Sequence, residues 1–557
     1  MRGKLFLFLV LLILTSFVVS AEHVVINSKD WKDVYSGTLY SVLNNFKVNY
    51  LVSETDGVSL VNMKVVDKNE KVLLLSSDSD PLIYGYNNFL NSAGIETEEV
   101  SFSRLDSLNL KLAERLVEEK QISTFIVVDS SLGYYSLTLP YYAIQKNAYV
   151  LFAEEDNFEE IVEFLEKNAL EIIVFGRVDR EVKDALKDFN AEFINTGDVY
   201  ADGIEIAKKS LEEFGNNKQV VLTTGEFIEL GLFNSEFPVL LAGTGNLPAV
   251  VFDFLKSEDI RSVVVIGSEL ANSAMRIRET TGANVFIKYG KGINGQLLAL
   301  DFFPVPSFDP KVRINEVRYN TITKELEVVY ENFGDVFSFV QGISHDLLVG
   351  EKSLGAVGDE EAFYLDANEI ITQTYDIDLL NFVNEEIYAK SNVLLGSSFG
   401  SLTKLLTAEN LVEIVAFGDD SQIGIESVIF NKRSKRFEVV IKNLGENEVY
   451  ADVEINNLII AGEKEIVSGD QSKISRKGTH TFFVKALLEE EDYQENPTIH
   501  VKVRYGSRAD ALIKSLEEEF DLVVKSSNLK WVLVLIVLVI LFLLMKKIKE
   551  KKRRRVR

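Results

Sequence analysis

The fold of the N-terminal half can be inferred from three neighbouring segments. They are VVLTTGEFIELG (Val220–Gly231), FPVLLAGTGNLP (Phe237–Pro248) and RSVVVIGSE (Arg261–Glu269). Each segment starts with a short run rich in Val, Ile and Leu and then becomes polar. Amphipathic sequence such as Ala249–Lys256 lies between them. Apolar strands that alternate with helices are typical of parallel sheets covered on both faces. The stretch therefore predicts an α/β unit.

The same plan occurs twice earlier in the chain. The first copy pairs VVINSKDWKDVYSG (Val24–Gly37) with VNYLVSE (Val48–Glu54), and the second begins with FIVVDSSLGYYSLTLPYYA (Phe125–Ala143). We predict three α/β repeat units at 22–105, 106–196 and 197–305. The candidate strands are Val72–Leu75, Phe125–Val128, Val150–Phe152, Ile172–Phe175, Val220–Thr223, Val239–Ala242 and Val263–Ile266, and the candidate helices include Phe158–Lys167, Arg180–Asp188 and Ala249–Lys256.

The third copy resembles the cell wall-binding repeat 2 family of bacterial and archaeal surface proteins. Thr224-Gly225-Glu226-Phe227 matches the family's turn, and Phe237-Pro238-Val239-Leu240-Leu241 matches its second strand. Val265-Ile266-Gly267-Ser268 matches part of its Val-Gly-Gly ending. The resemblance covers about half the chain and implies a platform of three repeats that anchors or displays surface proteins.

The other two copies match the family pattern less completely. The first keeps Asp33 at the position of the family's helix Asp. The second keeps Pro140 and Asn147-Ala148 but has Tyr134-Tyr135 where the family has Asp-Ala. Some family members bind anionic wall polymers, an activity that the negative charge of this chain argues against.

A second internal repeat follows Phe303-Pro304-Val305-Pro306, where the hydrophobic period changes to two. INEVRYNTITKELEVVYENFG (Ile314–Gly334) aligns with IESVIFNKRSKRFEVVIKNLG (Ile425–Gly445) at a constant offset of 111 residues. A strand, a turn, a strand and Asn-x-Gly are typical of hairpins. We predict two β-sandwich modules at 306–418 and 419–527, similar to the CARDB-like, immunoglobulin-type modules of surface proteins.

The same repeat predicts how each module ends. Ser401–Leu406 matches Ala511–Leu516, and both segments are expected to be helical. Two stacked modules would then form a stalk below the α/β half.

Residues 1–21 have the pattern of a signal peptide. Arg2 and Lys4 precede an apolar run from Leu5 to Val19, and Val19-Ser20-Ala21 fits a cleavage site. An uncleaved anchor helix is the alternative.

The C-terminus carries a second apolar segment. Trp531–Met545 holds no polar residue, which predicts a transmembrane helix at 528–546 in contact with the lipid bilayer. The basic tail 547–557 is expected to be cytoplasmic by the positive-inside rule. This indicates a single-pass protein of the cell membrane with its N-terminal ectodomain outside. A sorting signal that is removed after export is the alternative.

The composition excludes several classes of protein. The chain has 557 residues, no Cys and a formal net charge of −26, of which residues 22–530 carry about −36. A surface this acidic repels nucleic acid, so no nucleic-acid partner is expected. The absence of Cys excludes disulfide frameworks and thiol catalysis.

Two motifs are typical of enzymes but fit structural roles better. Gly290–Gly295 matches G-x-G-x-x-G, but the segment after it is too short and too apolar for the helix that a dinucleotide requires. Gly396–Gly400 matches G-x-S-x-G with Ser398 as the nucleophile, and His480 and His500 follow later. In the repeated module Ser398 becomes Arg508, which favours a structural turn.

The remaining polar clusters do not converge on a site. Gly243–Asn246 is interpreted as a tight turn, and Glu489–Asp492 as solvated acid. His23, His345, His480 and His500 show no ligand spacing. We therefore predict no catalytic residue, no metal ligand and no cofactor.

These observations favour a non-enzymatic cell-surface envelope protein with a structural, display or adhesion role of the surface-layer kind. Cell-envelope proteins or glycans are the expected partners, and self-association is possible. The alternative is a binding module that captures a polysaccharide, a small ligand or a partner protein through the α/β repeats.

Overall fold

The computed structural model describes residues 23–66, 68–103, 107–131, 133–154, 156–215, 218–233, 236–243, 247–267, 270–288, 302–306, 309–334, 336–399 and 402–525. The signal sequence 1–21, the apolar segment 528–546 and the basic tail 547–557 lie outside these ranges. We call residues 23–306 the head, 309–418 module 1 and 419–525 module 2.

The expected single-pass membrane topology requires correction. Within the described ranges no helix is both long and apolar enough to cross a bilayer. The longest of these helices, Val199–Phe214, has 16 residues, or about 24 Å, against a hydrocarbon layer of about 30 Å. The structure therefore does not support the single-pass membrane location inferred from Trp531–Met545, a segment that lies outside the described ranges.

The head alternates strands and helices throughout. Its strands are β1 His23–Asn27, β2 Lys47–Tyr50, β3 Val72–Ser77, β4 Thr97–Phe102, β5 Thr124–Val128, β6 Ala148–Phe152, β7 Glu171–Phe175, β8 Glu192–Ile194, β9 Gln219–Thr223, β10 Phe227–Ile228, β11 Val239–Leu241, β12 Ser262–Ile266, β13 Asn284–Lys288 and β14 Phe303–Pro304. Its α-helices are Trp31–Leu43, Glu54–Asn62, Tyr86–Ser92, Leu108–Lys120, Pro140–Lys146, Phe158–Asn168, Arg180–Lys187, Val199–Phe214, Ala249–Ser257 and Ala271–Thr281, with 3-10 helices at Gly133–Thr138 and Leu230–Leu232.

Three four-stranded parallel sheets share one strand order. Unit 1 has the order β2-β1-β3-β4, unit 2 has β6-β5-β7-β8, and unit 3 has β11-β9-β12-β13. In each unit the first strand is central, so Thr124 of β5 lies opposite both Ala148 and Glu171. The central strands are buried on both faces, which explains their continuous apolar runs. The strands and helices predicted in this half are all present, whereas the domain limits remain a prediction.

Polar residues that follow the strands begin the next helices. Asp30 accepts a hydrogen bond from the Lys32 N–H at the start of Trp31–Leu43. Asp198 accepts from the N–H groups of Tyr200 and Ala201 at the start of Val199–Phe214. A side-chain acceptor at this position satisfies N–H groups that have no partner within the helix.

The helix Trp31–Leu43 of unit 1 joins the three units. The fully buried Tyr35 donates a hydrogen bond from its hydroxyl to the Ser136 carbonyl of unit 2 at 2.9 Å. The Tyr35 ring lies 5.3 Å from Phe152 of unit 2 and 5.0 Å from Phe233 of unit 3. Edge-to-face contacts of this kind add to the stabilisation from burial. One hydrophobic core therefore runs through all three units.

The C-terminal half is almost entirely β-structure. Module 1 contains β15 Val312–Asn320, β16 Glu325–Asn332, β17 Ser338–Val349, β18 Lys352–Val357, β19 Phe363–Leu365, β20 Ile370–Asp376, β21 Tyr388–Gly396 and β22 Leu402–Val415, with a 3-10 helix at Leu380–Phe382. Module 2 contains β23 Ile423–Asn431, β24 Arg436–Asn443, β25 Val449–Ile460, β26 Glu463–Ile474, β27 Thr479–Lys485, β28 Thr498–Gly506, β29 Lys514–Asp521 and β30 Val524–Lys525, with a short helix at Asp492–Glu495.

Both modules have a sandwich-like arrangement around one core each. In module 2 the sheets β27-β24-β23-β30 and β26-β25-β28-β29 are separate. In module 1 the long strand β22 links the two halves, because it pairs antiparallel with β21 and then parallel with β15.

The repeat offset of 111 residues is visible in the structure. The strands β15, β16 and β17 begin and end 111 residues before β23, β24 and β25. Even the bulge after Ile314 recurs after Ile425. Asn332 and Asn443 are fully buried, and each donates to the backbone carbonyl four residues later, at 2.8 and 2.7 Å. The conserved spacing of Asn-x-Gly within the repeat therefore fixes the turn that leaves each hairpin.

The expected helical module endings are wrong. Leu402–Val415 is a strand in which Leu405 lies opposite Leu394 of β21. Lys514–Asp521 is likewise a strand paired with β28. Each segment can pair with the strand before it through a short turn, and this tertiary pairing outweighs the local helix preference of Leu, Lys and Ala.

Candidate functional site: the contact between the head and the β modules

Module 2 contacts the carboxyl edge of the unit 2 sheet. Arg177 follows β7 and Asn195 follows β8, so both lie at the edge where open α/β sheets bind ligands. Arg177 Nε lies 3.3 Å from Glu463 Oε2, and Asn195 Nδ2 donates to Glu463 Oε1 at 2.7 Å. Arg177 also pairs with Glu465. The β25–β26 hairpin of module 2 thus lies across part of the edge where a ligand of unit 2 would be expected, while the Arg177 side chain stays 63% exposed.

A second set of contacts binds the helix Arg180–Lys187 to module 2. Arg180 Nη2 lies 2.6 Å from Asp492 Oδ2, and Lys183 Nζ donates to the Ala461 carbonyl at 2.6 Å. Asp492 is 2% exposed and also accepts from the N–H groups of Ala461 and Glu489, at 2.9 and 2.8 Å. One carboxylate therefore holds the hairpin turn and the head together. Charge-assisted bonds to a buried carboxylate are among the stronger polar contacts in proteins.

Two adjacent tyrosines fill space at the strand ends of units 2 and 3. Gly176 has a positive φ of 73°, and a Cβ there would lie 3.0 Å from the Tyr135 ring. Gly225 has a φ of 84°, and a Cβ there would lie 2.9 Å from Tyr134 Cβ. The Tyr134-Tyr135 pair that departs from the family pattern therefore packs against glycine turns. Both positions favour glycine for steric and conformational reasons.

Asp202 lies behind this edge without any solvent exposure. Its Oδ1 accepts from the N–H and the hydroxyl of Thr196 at 2.6 and 2.8 Å, and its Oδ2 has no hydrogen-bond partner among the described residues. Burial raises the pKa of Asp202 to about 6, with smaller contributions from the charges of Asp198 and Glu463. Bonds from Thr196 oppose this shift. Asp202 therefore gains a proton more readily than an exposed Asp.

Module 1 contacts the head through its β21–β22 turn. Ser398 donates its hydroxyl hydrogen to Asp198 Oδ2 at 2.7 Å, and the hydroxyls of Tyr200 and Thr403 lie 3.2 Å apart. Ser398 sits on a hairpin between two strands, whereas a nucleophile elbow requires a strand-to-helix turn. The G-x-S-x-G match is thus part of a contact between domains. Because both modules touch the head, the predicted stalk does not simply extend away from it.

The other sequence motifs are not brought together. Gly290–Gly295 lies outside the described residues, as do three of the four residues of Gly243–Asn246. His23 contacts Glu70 and Asn49, and His500 lies 3.3 Å from Glu519. In the described ranges no three His, Asp or Glu residues are grouped so that they could hold a metal ion.

A row of hydrogen-bonded polar side chains is buried in the core of module 1. Ser391 Oγ lies 2.8 Å from His345 Nδ1, and His345 Nε2 lies 2.9 Å from the Tyr330 hydroxyl. The Tyr375 hydroxyl is 3.4 Å from that of Tyr330 and donates to Asp359 at 2.9 Å. His345 has no solvent exposure, and burial lowers its pKa to about 4. The sequence analysis did not predict this row of hydrogen-bonded side chains, although the alternation of apolar and polar residues along the strands could have placed His345 and Ser391 on the inner face.

Arginine–carboxylate pairs also join the two modules. Arg504 of module 2 lies 3.0 Å from Asp452 and pairs with Glu369 of module 1. Arg508 of module 2 lies 2.7 Å from the fully buried Glu327 of module 1. Burial raises the pKa of Glu369 to about 7, although the Arg504 charge opposes the shift. The modules are therefore fixed to each other by side chains that are mostly removed from water.

No family model matches the chain, and no curated protein matches it. Among solved structures it is similar to Cwp6 from Clostridium difficile, with 10% identity and a TM-score of 0.35 over 50% of this chain and 43% of that one. It is also similar to the YadV chaperone, with 15% identity and a TM-score of 0.15 over 38% of this chain and 100% of that one. Similarity at this level does not establish a family or an activity.

Proposed function

We propose that the protein is a non-enzymatic structural component of the cell envelope, in which the β modules hold the α/β head in a fixed orientation for display or adhesion. The supporting observation is the contact at the carboxyl edge of unit 2, where Arg177, Arg180 and Asn195 bind module 2. Enzymes built on open α/β sheets keep this edge accessible to substrate. Here the same edge is used for an intramolecular contact.

The pattern of residues 1–21 supports an envelope location, because it has the basic start, apolar middle and small-residue ending of an export signal. Immunogold electron microscopy of intact cells, with antibodies against residues 23–525, tests the location. We expect labelling of the outer surface. Labelling that requires permeabilised cells would contradict the proposal.

The fixed orientation can be measured directly because the chain has no native Cys. Spin labels on Met275→Cys in unit 3 and Phe483→Cys in module 2 use side chains that are 58% and 49% exposed. Pulsed electron paramagnetic resonance should give one narrow distance distribution. Asp492→Ala should broaden it, whereas Asp470→Ala, on a strand of module 2, should not. A broad distribution in the unaltered protein would contradict the proposal.

A second candidate function, ligand capture by strand-end loops, is favoured at unit 1. Its carboxyl edge carries an ion pair between Lys29 and Asp80, whose side chains are 49% and 62% exposed. Beside it burial raises the pKa of Asp33 to about 7, opposed by the 2.6 Å hydrogen bond from Ser28. Thermal-shift measurements with glycans and Ca²⁺ test this candidate. A shift that disappears in a Lys29→Ala, Asp80→Ala variant would support it, and no shift with any of them would contradict it.

A further inference from the structure

A cavity lies between the two β modules and is distinct from the head–module contact. Its volume is about 430 Å³, within the range of small-molecule sites. Module 1 lines it with Tyr364 and Phe399, and module 2 lines it with Glu454, Asn456 and Arg504. Because both modules contribute walls, the cavity exists only when they are joined.

The lining of the cavity includes two amide side chains, Gln373 of module 1 and Asn457 of module 2. Gln373 is partly exposed and Asn457 is exposed. A primary amide both donates and accepts hydrogen bonds. This part of the lining is therefore suited to a ligand that carries hydroxyl groups.

Another part of the lining is aromatic and open to solvent. Phe399 is 59% exposed, and its ring centroid lies 4.4 Å from that of Phe339. The Phe339 ring in turn lies 5.5 Å from Tyr364. Phe399 is held by this aromatic cluster although more than half of it faces water. An exposed large aromatic side chain next to a polar cavity is typical of a binding surface.

The charges of the lining argue against an ionic ligand. Glu361 and Glu454 contribute carboxylates, whereas Lys502, Arg504 and Lys514 contribute cations. A mixed lining of this kind attracts neither a strong anion nor a strong cation. Hydroxyl groups both donate and accept, so a polyol can bond to carboxylate, amide and cationic side chains at once. The apolar C–H face of a pyranose ring can in addition pack against an aromatic ring.

From these features we infer that the inter-module cavity binds one or two rings of a neutral glycan. A pyranose ring packs on Phe399, and its hydroxyls bond to the amide groups of Gln373 and Asn457. This site lies outside the α/β repeats and does not depend on the structural role proposed above. It gives the β modules a recognition function in addition to their contact with the head.

Binding of neutral oligosaccharides to the full chain tests the inference. The probes are cellohexaose, chitohexaose, mannohexaose and maltohexaose, measured by isothermal titration calorimetry. We expect saturable binding of at least one probe, weakened about tenfold by Phe399→Ala and by Gln373→Ala. Phe286→Ala, a 60% exposed aromatic residue of unit 3, is the matched control and should bind as the unaltered protein does.

Two further measurements keep the outcome unambiguous. Thermal unfolding shows whether each variant remains folded, and Phe399→Trp should retain binding because it preserves the aromatic surface. Absence of binding to all four probes would overturn the inference. So would equal binding by Phe399→Ala and the unaltered protein, or binding of heparin or polylysine at the cavity in preference to the neutral probes.

Discussion

Arg180 and Asp492 are 312 residues apart in the chain, and their charged groups meet at 2.6 Å with only 3% of the Asp492 side chain exposed. The guanidinium belongs to the first turn of a helix in unit 2, and the carboxylate belongs to module 2. This pair connects the two halves of the protein and fixes the β25–β26 hairpin over the unit 2 sheet.

Removing the carboxylate should therefore destabilise the protein strongly. Asp492→Ala leaves Arg180 and the N–H groups of Ala461 and Glu489 without their acceptor. We expect the free energy of unfolding to fall by about 3 kcal/mol in urea titrations. The control is Glu446→Ala, whose partner Lys477 is also exposed, and it should cause no measurable change. An unchanged unfolding midpoint for Asp492→Ala would refute this account of the contact.

The two repeated asparagines should be equally important to their modules. Asn332→Ala removes the bond to the Val336 carbonyl, and Asn443→Ala removes the bond to the Asn447 carbonyl. Because both sites are fully buried, each change should cost about 2 kcal/mol of stability. Urea unfolding measures the loss, and Asn447→Ala, on an exposed turn, serves as the control. A loss in one module alone would show that the repeated residue has different roles in the two copies.

The stability contributed by Glu369 and Asp202 should decrease as the pH rises from about 4.5 to 7. Burial raises the pKa of Glu369 to about 7 and that of Asp202 to about 6, so both stay protonated in the folded protein at a pH where the unfolded chain has released the proton. The folded state binds more protons in this window, which makes stability fall with increasing pH. Urea unfolding at pH 5 and pH 7.5 measures the effect. Glu369→Gln should flatten the dependence, and an equally steep slope in that variant would argue against Glu369 as its source.

The titration of His345 should change stability in the opposite direction to that of Glu369 and Asp202. Burial lowers its pKa to about 4, so between pH 4 and 6.5 the unfolded chain binds a proton that the folded protein does not. This group therefore reduces stability as the pH falls through that window. NMR titration of the His345 ring should give a midpoint near pH 4. A midpoint above 6 would contradict the buried neutral ring bonded to Ser391 and Tyr330.

Ser398 should not act as a nucleophile. Its hydroxyl bonds to Asp198 across the contact between module 1 and the head. Ser398→Ala should lower the free energy of unfolding by about 1 kcal/mol without affecting any esterase activity in the preparation. A fluorophosphonate probe should leave Ser398 unlabelled, and mass spectrometric detection of an adduct there would reverse this interpretation.

The strands and helices predicted for the head, and the repeated hairpins of the two modules, follow from the amino-acid sequence alone. The apolar runs that became β5, β7, β9 and β12 sit in sheets covered on both faces, so burial requires nearly every residue to be apolar. The 111-residue offset predicted matching hairpins because Asn332 and Asn443 satisfy the same backbone groups in each copy. These signals depend only on contacts between residues close in sequence or on the period of the hydrophobic pattern.

Which surfaces touch each other and which stay open depends on the tertiary structure. Arg177 and Glu465 are 288 residues apart, and nothing in the period or composition of either segment indicates that they pair. The segment Lys514–Asp521 is a strand because β28 lies beside it, not because of its own preferences. Hydrophobic patterns record whether a residue is buried, but an ion pair or a cavity depends on where two distant surfaces meet. The contact between module 2 and the unit 2 sheet, and the cavity between the modules, both form where such distant surfaces come together.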